Sequence, residues 1–116
     1  MSLDPWVVAA GAAVAFVVAR SLLVRRAPPE AVRQRLGSGA TVLDVRTPRE
    51  YAGGAYPGAL NIPLQSLAQR LGEIPKERPV VVYCASGLRS ASAARLLARA
   101  GFRDVVNAGG LRHMPA

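Results

Sequence analysis

A single cysteine and the loop after it are the part of this sequence whose residue types suggest chemistry. Cys84 follows the apolar run Pro79–Tyr83 and precedes a loop of mostly small residues, which are Ala85, Ser86, Gly87, Leu88, Arg89 and Ser90. Small residues around a glycine let the backbone curl so that several N–H groups form a cradle for an anion. The positive end of the next helix and Arg89 are expected to lower the pKa of Cys84, which favours the nucleophilic thiolate. The pattern predicts transfer of a group from an anion to sulfur through a covalent intermediate.

A buried structural cysteine is the alternative interpretation of Cys84, because a cysteine after an apolar strand is often an inert core residue. Such a residue needs neither a glycine-bearing loop nor an arginine five positions further on, so the sequence favours the functional interpretation. The chain has one cysteine and one histidine, His113, so it forms no internal disulfide and has no Cys/His cluster that predicts a metal site. We expect neither a metal nor a cofactor.

The charge balance favours anionic partners. Fifteen Lys and Arg residues against seven Asp and Glu give a net charge of +8, which attracts small oxyanions, acidic proteins and anionic lipid headgroups. Nucleic acid is not predicted as a partner, because the basic residues do not cluster with aromatic residues that could stack on bases.

Helix-like and strand-like segments alternate around Cys84. The predicted strands are Thr41–Val45, Pro79–Tyr83 and Asp104–Asn107, with a short stretch at Ala59–Ile62, and the predicted helices are Glu30–Leu36, Thr47–Tyr51, Leu64–Leu71 and Ser90–Ala100. This alternation implies a mainly parallel sheet covered on both faces. Ligands bind beyond the carboxyl ends of such strands, where the Cys84 loop and Asp44-Val45-Arg46 both lie.

The first 26 residues have the composition of a membrane anchor. Residues 5–24 form an apolar segment about 30 Å long as a helix, which matches the hydrocarbon core of a bilayer. Arg20 is its one charge and lies near the end, and Trp6 lies at the opposite boundary, where an interfacial indole is expected. Because Arg20, Arg25 and Arg26 flank the C-terminal side, we expect a single-pass protein whose catalytic domain is cytoplasmic.

Two alternatives compete with the anchor. A signal peptide cleaved at Val17-Val18-Ala19 would export the domain to the periplasm, although the N-terminus lacks the usual positive charge. A helix buried in a soluble protein would be less apolar around its circumference. We therefore divide the chain into an anchor (1–26), a linker with a first short helix (27–39) and a domain (40–116).

Five separated motifs resemble those of rhodanese domains in order and spacing. They are Val42-Leu-Asp-Val-Arg46, Glu50-Tyr51, Pro57-Gly-Ala-Leu-Asn-Ile-Pro63, Tyr83-Cys-Ala-Ser-Gly-Leu-Arg-Ser90, and Gly101-Phe102 through Asn107-Ala-Gly-Gly110. The sequence is most similar to the small single-domain sulfurtransferases. The resemblance implies an α/β fold with a parallel five-stranded sheet and helices on both faces, preceded here by an N-terminal transmembrane helix.

The resemblance also implies a function for the Cys84 loop. The cysteine would accept the outer sulfur of thiosulfate or a similar anionic donor as a persulfide, and cyanide or a cellular thiol would then take that sulfur. The backbone N–H groups from Ala85 to Arg89 would cradle the persulfide and the donor. The Arg89 side chain would add positive charge and fix the loop.

We expect Asp44, Arg46 and Ser90 to support the active site. The first two would brace the loops beside the site, with Arg46 pairing with Glu50. The sequence departs from the family at Ala55, where a histidine often precedes the Pro-Gly turn, and it leaves the effect of this change on activity open.

Loop length separates the predicted reaction from that of related cysteine phosphatases, which have five residues between cysteine and arginine. Here four intervene, and the apolar Leu88 among them leaves the selectivity for thiosulfate open. The alternative function is a membrane-tethered binding or redox-sensing module. Interaction modules of this fold often lack the cysteine and redox sensors often have a resolving thiol nearby, so the sequence favours the enzyme.

Overall fold

The computed structural model describes residues 4–11 and 25–116, in which helices and strands alternate as the sequence predicts. Residues 5–11 are helical. The α-helices after this segment are α1 (Pro29–Gly37), α2 (Pro48–Ala52) and α3 (Leu88–Arg99). The strands are β1 (Thr41–Asp44), β2 (Leu60–Asn61), β3 (Val80–Cys84) and β4 (Val105–Gly110), and 3-10 turns cover Leu64–Gln69, Leu71–Glu73 and Leu111–His113.

The described strands form one parallel sheet in the order β2-β1-β3-β4. The parallel α/β sheet is confirmed, but the prediction of five strands is wrong for the described residues, which form four. At the outer edge of β4, the N–H of Ala27 donates to the carbonyl of Asn107 at 2.7 Å. Pro28 and Pro29 have no N–H and lead directly into α1, so the linker does not continue as a fifth strand.

Strand β3 is buried on both faces, which explains its continuous apolar sequence. Val80, Val82 and Cys84 pack with residues of α3 and of the 3-10 turns. Val81 and Tyr83 point to the other face and pack with residues of α1. The sheet is therefore covered on both sides, as predicted, and the thiol is placed at the end of its most buried strand.

A capping box begins α2, in agreement with the Thr47-Pro48 signal. The N–H of Glu50 donates to Thr47 Oγ1 at 3.1 Å, and the N–H of Thr47 donates to Glu50 Oε1 at 3.0 Å. Pro48 occupies the first helical position, where a missing N–H costs nothing. This short helix fixes Glu50 in place beside the Cys84 loop.

One predicted helix, Leu64–Leu71, forms 3-10 turns instead of an α-helix. Leu64 and Leu67 are three residues apart, which is the period of a 3-10 helix. Leu67 is fully buried, and Leu64 packs against the same core. The leucines of the predicted helical face, Leu64, Leu67 and Leu71, pack against the core, but Ala68 of the same predicted face is exposed. The helix type and part of its buried face were therefore wrong.

The predicted membrane anchor falls largely outside the described residues. Of residues 5–24, the structure describes 5–11, which are helical and expose Trp6, Val7 and Val8. No helix within residues 4–11 and 25–116 is long and apolar enough to cross a membrane. The anchor, the signal peptide and the buried helix therefore stay predictions.

Candidate active site

Cys84 is the last residue of β3, and its side chain is fully buried at the carboxyl end of the sheet. The chain turns into α3 at Gly87, whose φ of 104° is a left-handed conformation that favours glycine. A Cβ at Gly87 would also come within 3.3 Å of the Cα of Gly109. Glycine satisfies both constraints. The first turn of α3 can therefore begin beside the sulfur.

Hydrogen bonds from the loop converge on the Cys84 sulfur. The N–H of Gly87 donates to Sγ at 2.9 Å, and the hydroxyl oxygen of Ser90 lies 3.4 Å from Sγ. Burial by itself raises the pKa of Cys84. Hydrogen bonds from the Ser90 side chain, and from the backbone N–H groups of Ser90, Gly87 and Ser86, outweigh burial and lower the pKa below its ordinary value. The cradle therefore stabilises negative charge on sulfur.

The groups that contribute most to lowering the pKa of Cys84 belong to Ser90, Gly87 and Ser86. The wider cradle, formed by the backbone from Ala85 to Arg89 around a persulfide and its donor, stays a prediction. Ser90, to which the sequence assigned a supporting role, makes the largest lowering contribution to the pKa of Cys84. Helix α3 therefore supplies a side chain to the sulfur as well as its N-terminal N–H groups.

The outer side of the loop faces solvent. Ala85 and Ser86 are exposed, and Leu88 has 78% of its surface exposed. The mouth of the site therefore combines small residues with one large apolar side chain. None of the side chains of Ala85, Ser86 and Leu88 is charged.

Arg89 is held by an ion pair. Its two terminal nitrogens donate to the Glu50 carboxylate at 2.7 and 3.0 Å, and this contact lowers the pKa of Glu50 to about 2. Because Glu50 belongs to the capping box of α2, the pair fastens the Cys84 loop to α2. The predicted pairing of Arg46 with Glu50 is wrong, since Arg46 precedes the helix and turns to Asp44 instead.

A second buried cluster, formed by Asp44, Arg46 and Tyr83, braces the loop beside the site. Arg46 donates to both oxygens of the Asp44 carboxylate, most closely at 2.7 Å, and the Tyr83 hydroxyl donates to the same carboxylate at 2.7 Å. Arg46 also donates to the Gly54 carbonyl at 2.7 Å, and the N–H of Tyr56 donates to the Tyr83 hydroxyl. Burial raises the pKa of Tyr83 to about 12. These contacts hold the loop at residues 54–56, and the predicted role of Asp44 and Arg46 in supporting the site stays a prediction.

The same loop contains Ala55, at the position of the family's frequent histidine. Ala55 is half-buried between Gly54 and Tyr56, the two residues that the Asp44–Arg46–Tyr83 cluster holds. Backbone contacts therefore fix this loop without a side-chain hydrogen bond from position 55.

Asn107 is the residue of the site that the sequence reasoning missed. It is buried in β4, where its Oδ1 accepts from the Ser90 hydroxyl at 2.7 Å and from the N–H of Gly109 at 2.9 Å. Its Nδ2 donates to the Gly87 carbonyl at 3.3 Å. One carboxamide thus holds both residues that contact the sulfur. A polar residue in an apolar strand, just before two glycines, was the signal that could have found it.

The arrangement suits nucleophilic attack by a thiolate. The sulfur is surrounded by neutral hydrogen-bond donors, and the charge of the nearby Arg89 is balanced by Glu50. Within residues 4–11 and 25–116, no three His, Cys, Asp or Glu side chains are grouped so that they could hold a metal ion.

Comparison with known proteins identifies the family. Residues 28–112 match the family model of the rhodanese-like domain. The chain belongs to this family. A sulfurtransferase of Allochromatium vinosum is 42% identical over 87 residues, which cover 73% of this chain and 81% of that protein. The thiosulfate sulfurtransferase GlpE of Pseudomonas aeruginosa is 37% identical over 86 residues, which cover 74% of this chain and 78% of that protein.

Solved structures of rhodanese-like proteins share the fold. A rhodanese with anions from E. coli matches this chain with a TM-score of 0.56 at 36% identity, covering 66% of this chain and 94% of that one. Other relatives are longer, and the chain spans 54%, 24% and 43% of three of them. Together the relatives support rhodanese-type sulfur transfer as the general chemistry of this family member.

Proposed function

We propose that this protein is a sulfurtransferase in which Cys84 carries the transferred sulfur as a persulfide. The donor is thiosulfate or a similar anion with a sulfane sulfur, and the acceptor is cyanide or a thiol. The observation that carries the proposal is the hydrogen bond from the Gly87 N–H to the Cys84 sulfur at 2.9 Å, within a cradle that lowers the pKa of the thiol. The name of the Pseudomonas aeruginosa relative supports thiosulfate as the donor.

The proposed reaction consists of two displacements at sulfur. The Cys84 thiolate attacks the outer sulfur of thiosulfate, the S–S bond of thiosulfate breaks, and sulfite leaves with the bonding electron pair. Cyanide or a thiolate then attacks the outer sulfur of the Cys84 persulfide. This step forms thiocyanate or a new persulfide and returns Cys84 as the thiolate, so the protein is unchanged after one cycle.

The residues around the sulfur have distinct roles in this scheme. The N–H groups of Ser86 and Gly87 point at the sulfur before reaction, so they stabilise its negative charge without reorganising. Arg89 orders the loop through its ion pair with Glu50, which balances the charge of Arg89. The net charge of +8 favours the approach of an anionic donor.

Sulfur transfer from thiosulfate to cyanide, measured with the full chain, tests the proposal. We expect thiocyanate from the unchanged protein and none from Cys84→Ser, because a hydroxyl is not a sulfur acceptor. Ser92→Ala is the matched control, since Ser92 lies on the same helix but bonds Arg95 instead of the sulfur, and it should keep its activity. Thiocyanate from the Cys84→Ser variant would contradict the role of the cysteine.

A membrane-tethered binding or redox-sensing module is the second candidate function, and the lowered pKa of Cys84 favours it as well. A folded chain that alkylates at Cys84 but forms no thiocyanate with any sulfane donor would support it. Because the chain has one cysteine, a sensor would take its resolving thiol from another molecule. A mixed disulfide after oxidation is therefore the expected product in that case.

We also propose that residues 5–24 anchor the protein by a single span, with the domain on the cytoplasmic side. The apolar composition of this segment, the flanking Arg25 and Arg26, and the exposed Trp6 on the helical residues 5–11 support the anchor. We expect the uncleaved chain to stay in the membrane fraction after an alkaline wash. Uncleaved chain in the soluble fraction would contradict the anchor, and a mature chain that starts after Ala19 would indicate export instead.

A further inference from the structure

The contacts of Asn107 fix the orientation of its carboxamide. The N–H of Gly109 lies 2.9 Å from one carboxamide atom, and since an N–H can only donate, that atom is the oxygen Oδ1. The nitrogen Nδ2 then faces the Gly87 carbonyl at 3.3 Å, which requires a donor. The Ser90 oxygen lies 2.7 Å from Oδ1, so the Ser90 hydroxyl donates its proton to Asn107.

The Ser90 hydroxyl has one proton and three acceptors within reach, of which Oδ1 of Asn107 is the nearest at 2.7 Å and the Gly109 carbonyl lies at 3.4 Å. The Ser90 oxygen lies 3.4 Å from the Cys84 sulfur. While the hydroxyl donates to Asn107, it can only accept from the sulfur, and this suits a protonated thiol. A thiolate or persulfide anion requires the opposite direction, with the hydroxyl donating to sulfur. Oδ1 of Asn107 keeps the N–H of Gly109 in both arrangements, so turning the hydroxyl leaves no buried acceptor empty.

We propose that Asn107 is a positioning residue that competes with the Cys84 sulfur for the proton of the Ser90 hydroxyl. In the resting protein the proton points to Asn107, and it turns to the sulfur by rotation about the Cβ–Oγ bond when charge forms there. Asn107 thereby sets how strongly the resting cradle stabilises a thiolate. The consequence for sulfur transfer rests on the proposed function, whereas the effect on the thiol does not.

The surroundings of the competing groups keep this effect local. Ser90 and Asn107 are buried and uncharged, so solvent does not screen their hydrogen bond. The titratable and charged groups on the elements around them are the Arg89–Glu50 and Arg46–Asp44 pairs, Tyr83, Arg95 and Arg99 further along α3 and, around Gly109 and the last turn, Arg26, Arg112 and His113. All of these stay unchanged in the variants below, so their influence on the sulfur is constant.

A double-mutant cycle on the pKa of Cys84 tests the competition in the full chain. The pKa is read from the pH dependence of alkylation by iodoacetamide, which requires no sulfur transfer. Asn107→Leu removes the nearer competing acceptor and leaves the Gly109 carbonyl at 3.4 Å, and we expect the pKa of Cys84 to fall by about 0.5 to 1 unit, the size of one neutral hydrogen bond. In the Ser90→Ala background, the same substitution should leave the pKa unchanged.

The sign of the Asn107→Leu shift separates positioning from a purely structural role, and a second variant tests whether the effect depends on the Ser90 hydroxyl. Asn107→Asp is nearly isosteric and strengthens the acceptor, so we expect the pKa of Cys84 to rise, and to rise less in the Ser90→Ala background. If Asn107 only held the loop together, both variants would loosen the cradle and raise the pKa. A rise with Asn107→Leu, or equal shifts with and without the Ser90 hydroxyl, would overturn the proposal.

Two further comparisons complete the experiment. Asn61→Leu is the matched control, because the Asn61 carboxamide bonds the carbonyls of Asp44 and Arg46 and makes no contact with Ser90, so the pKa of Cys84 should not move. Should Asn107→Leu not fold, the Asp variant in both backgrounds gives the same decision. The pKa shifts are measured whether or not thiocyanate forms, so failure of the proposed function is distinguishable from failure of this inference.

Discussion

Two buried polar clusters lie at the carboxyl end of the sheet, and they differ in charge. The groups that contact or hold the Cys84 sulfur are neutral: backbone N–H groups, the Ser90 hydroxyl and the Asn107 carboxamide. The Asp44–Arg46–Tyr83 cluster contains a buried ion pair between Arg46 and Asp44. Neutral donors can stabilise a charge that forms and disappears during a reaction, whereas a buried ion pair must stay intact. Changes in the first cluster should therefore alter reactivity, and changes in the second should alter stability.

The largest expected effect is on stability. Asp44→Asn removes the negative partner of Arg46, whose side chain is 8% exposed, and leaves a buried positive charge. We expect the free energy of unfolding to fall by about 3–5 kcal/mol in urea denaturation. Asp104→Asn is the control, because Asp104 pairs with Arg35 at a half-exposed site, and it should cost about 1 kcal/mol or less. Equal losses in the two variants would show that burial of the Arg46–Asp44 pair does not set its contribution to stability.

The next effect is on reactivity. Ser90→Ala removes the side chain that contributes most to lowering the pKa of Cys84. We expect the pH profile of alkylation to shift to higher pH and sulfur transfer at neutral pH to fall about three- to ten-fold, while the fold is kept. Ser90→Thr restores the hydroxyl and should restore most of the activity. A profile that does not move in Ser90→Ala would show that the hydroxyl does not act on the sulfur.

The smallest effect concerns the Arg89–Glu50 pair, which joins the loop to α2. The hydrogen bonds from Arg89 lower the pKa of the Glu50 carboxyl from 4.5 to about 2. A lowered pKa gives stability that is fully present above about pH 4.5 and is lost as the pH falls towards 2. Because a third of the Glu50 side chain is exposed, we expect a contribution of about 1 kcal/mol or less.

The measurement is the melting temperature of Glu50→Gln relative to the unchanged chain between pH 7 and 2. The difference should be largest near neutral pH and disappear as Glu50 is protonated. Glu73→Gln gives the comparison with an exposed pair, to Arg70, and should change little at any pH. A difference for Glu50→Gln that is independent of pH would mean that the ion pair is not its cause.

Local signals predicted the parts of the fold and site that depend on neighbouring residues. The start of α2 at Thr47 follows from the residues next to it, and the Cys84 loop follows from small residues between a strand and a helix. The pairing of Arg46 with Glu50 was wrong for a local reason. Their four-residue spacing is that of helix neighbours, but Arg46 precedes the cap residue and is not on the helix.

Contacts between distant residues could not be predicted in the same way. Ser90 and Asn107 are seventeen positions apart and meet because α3 packs beside β4. The partner of Arg89, Glu50, likewise depends on how α2 lies against the loop. Residues 4–11 and 25–116 contain no fifth strand. Pro28 and Pro29 end the extended backbone after Ala27, and this effect becomes visible only once Ala27 is seen bonded to β4.

The most direct test of the central claim is the mass of the Cys84 peptide after the full chain is incubated with thiosulfate. We predict the addition of one sulfur atom to Cys84, its absence in Cys84→Ser, and its loss on adding cyanide with formation of an equal amount of thiocyanate. An unmodified Cys84 that still alkylates, or thiocyanate formed without sulfur on Cys84, would contradict the persulfide mechanism.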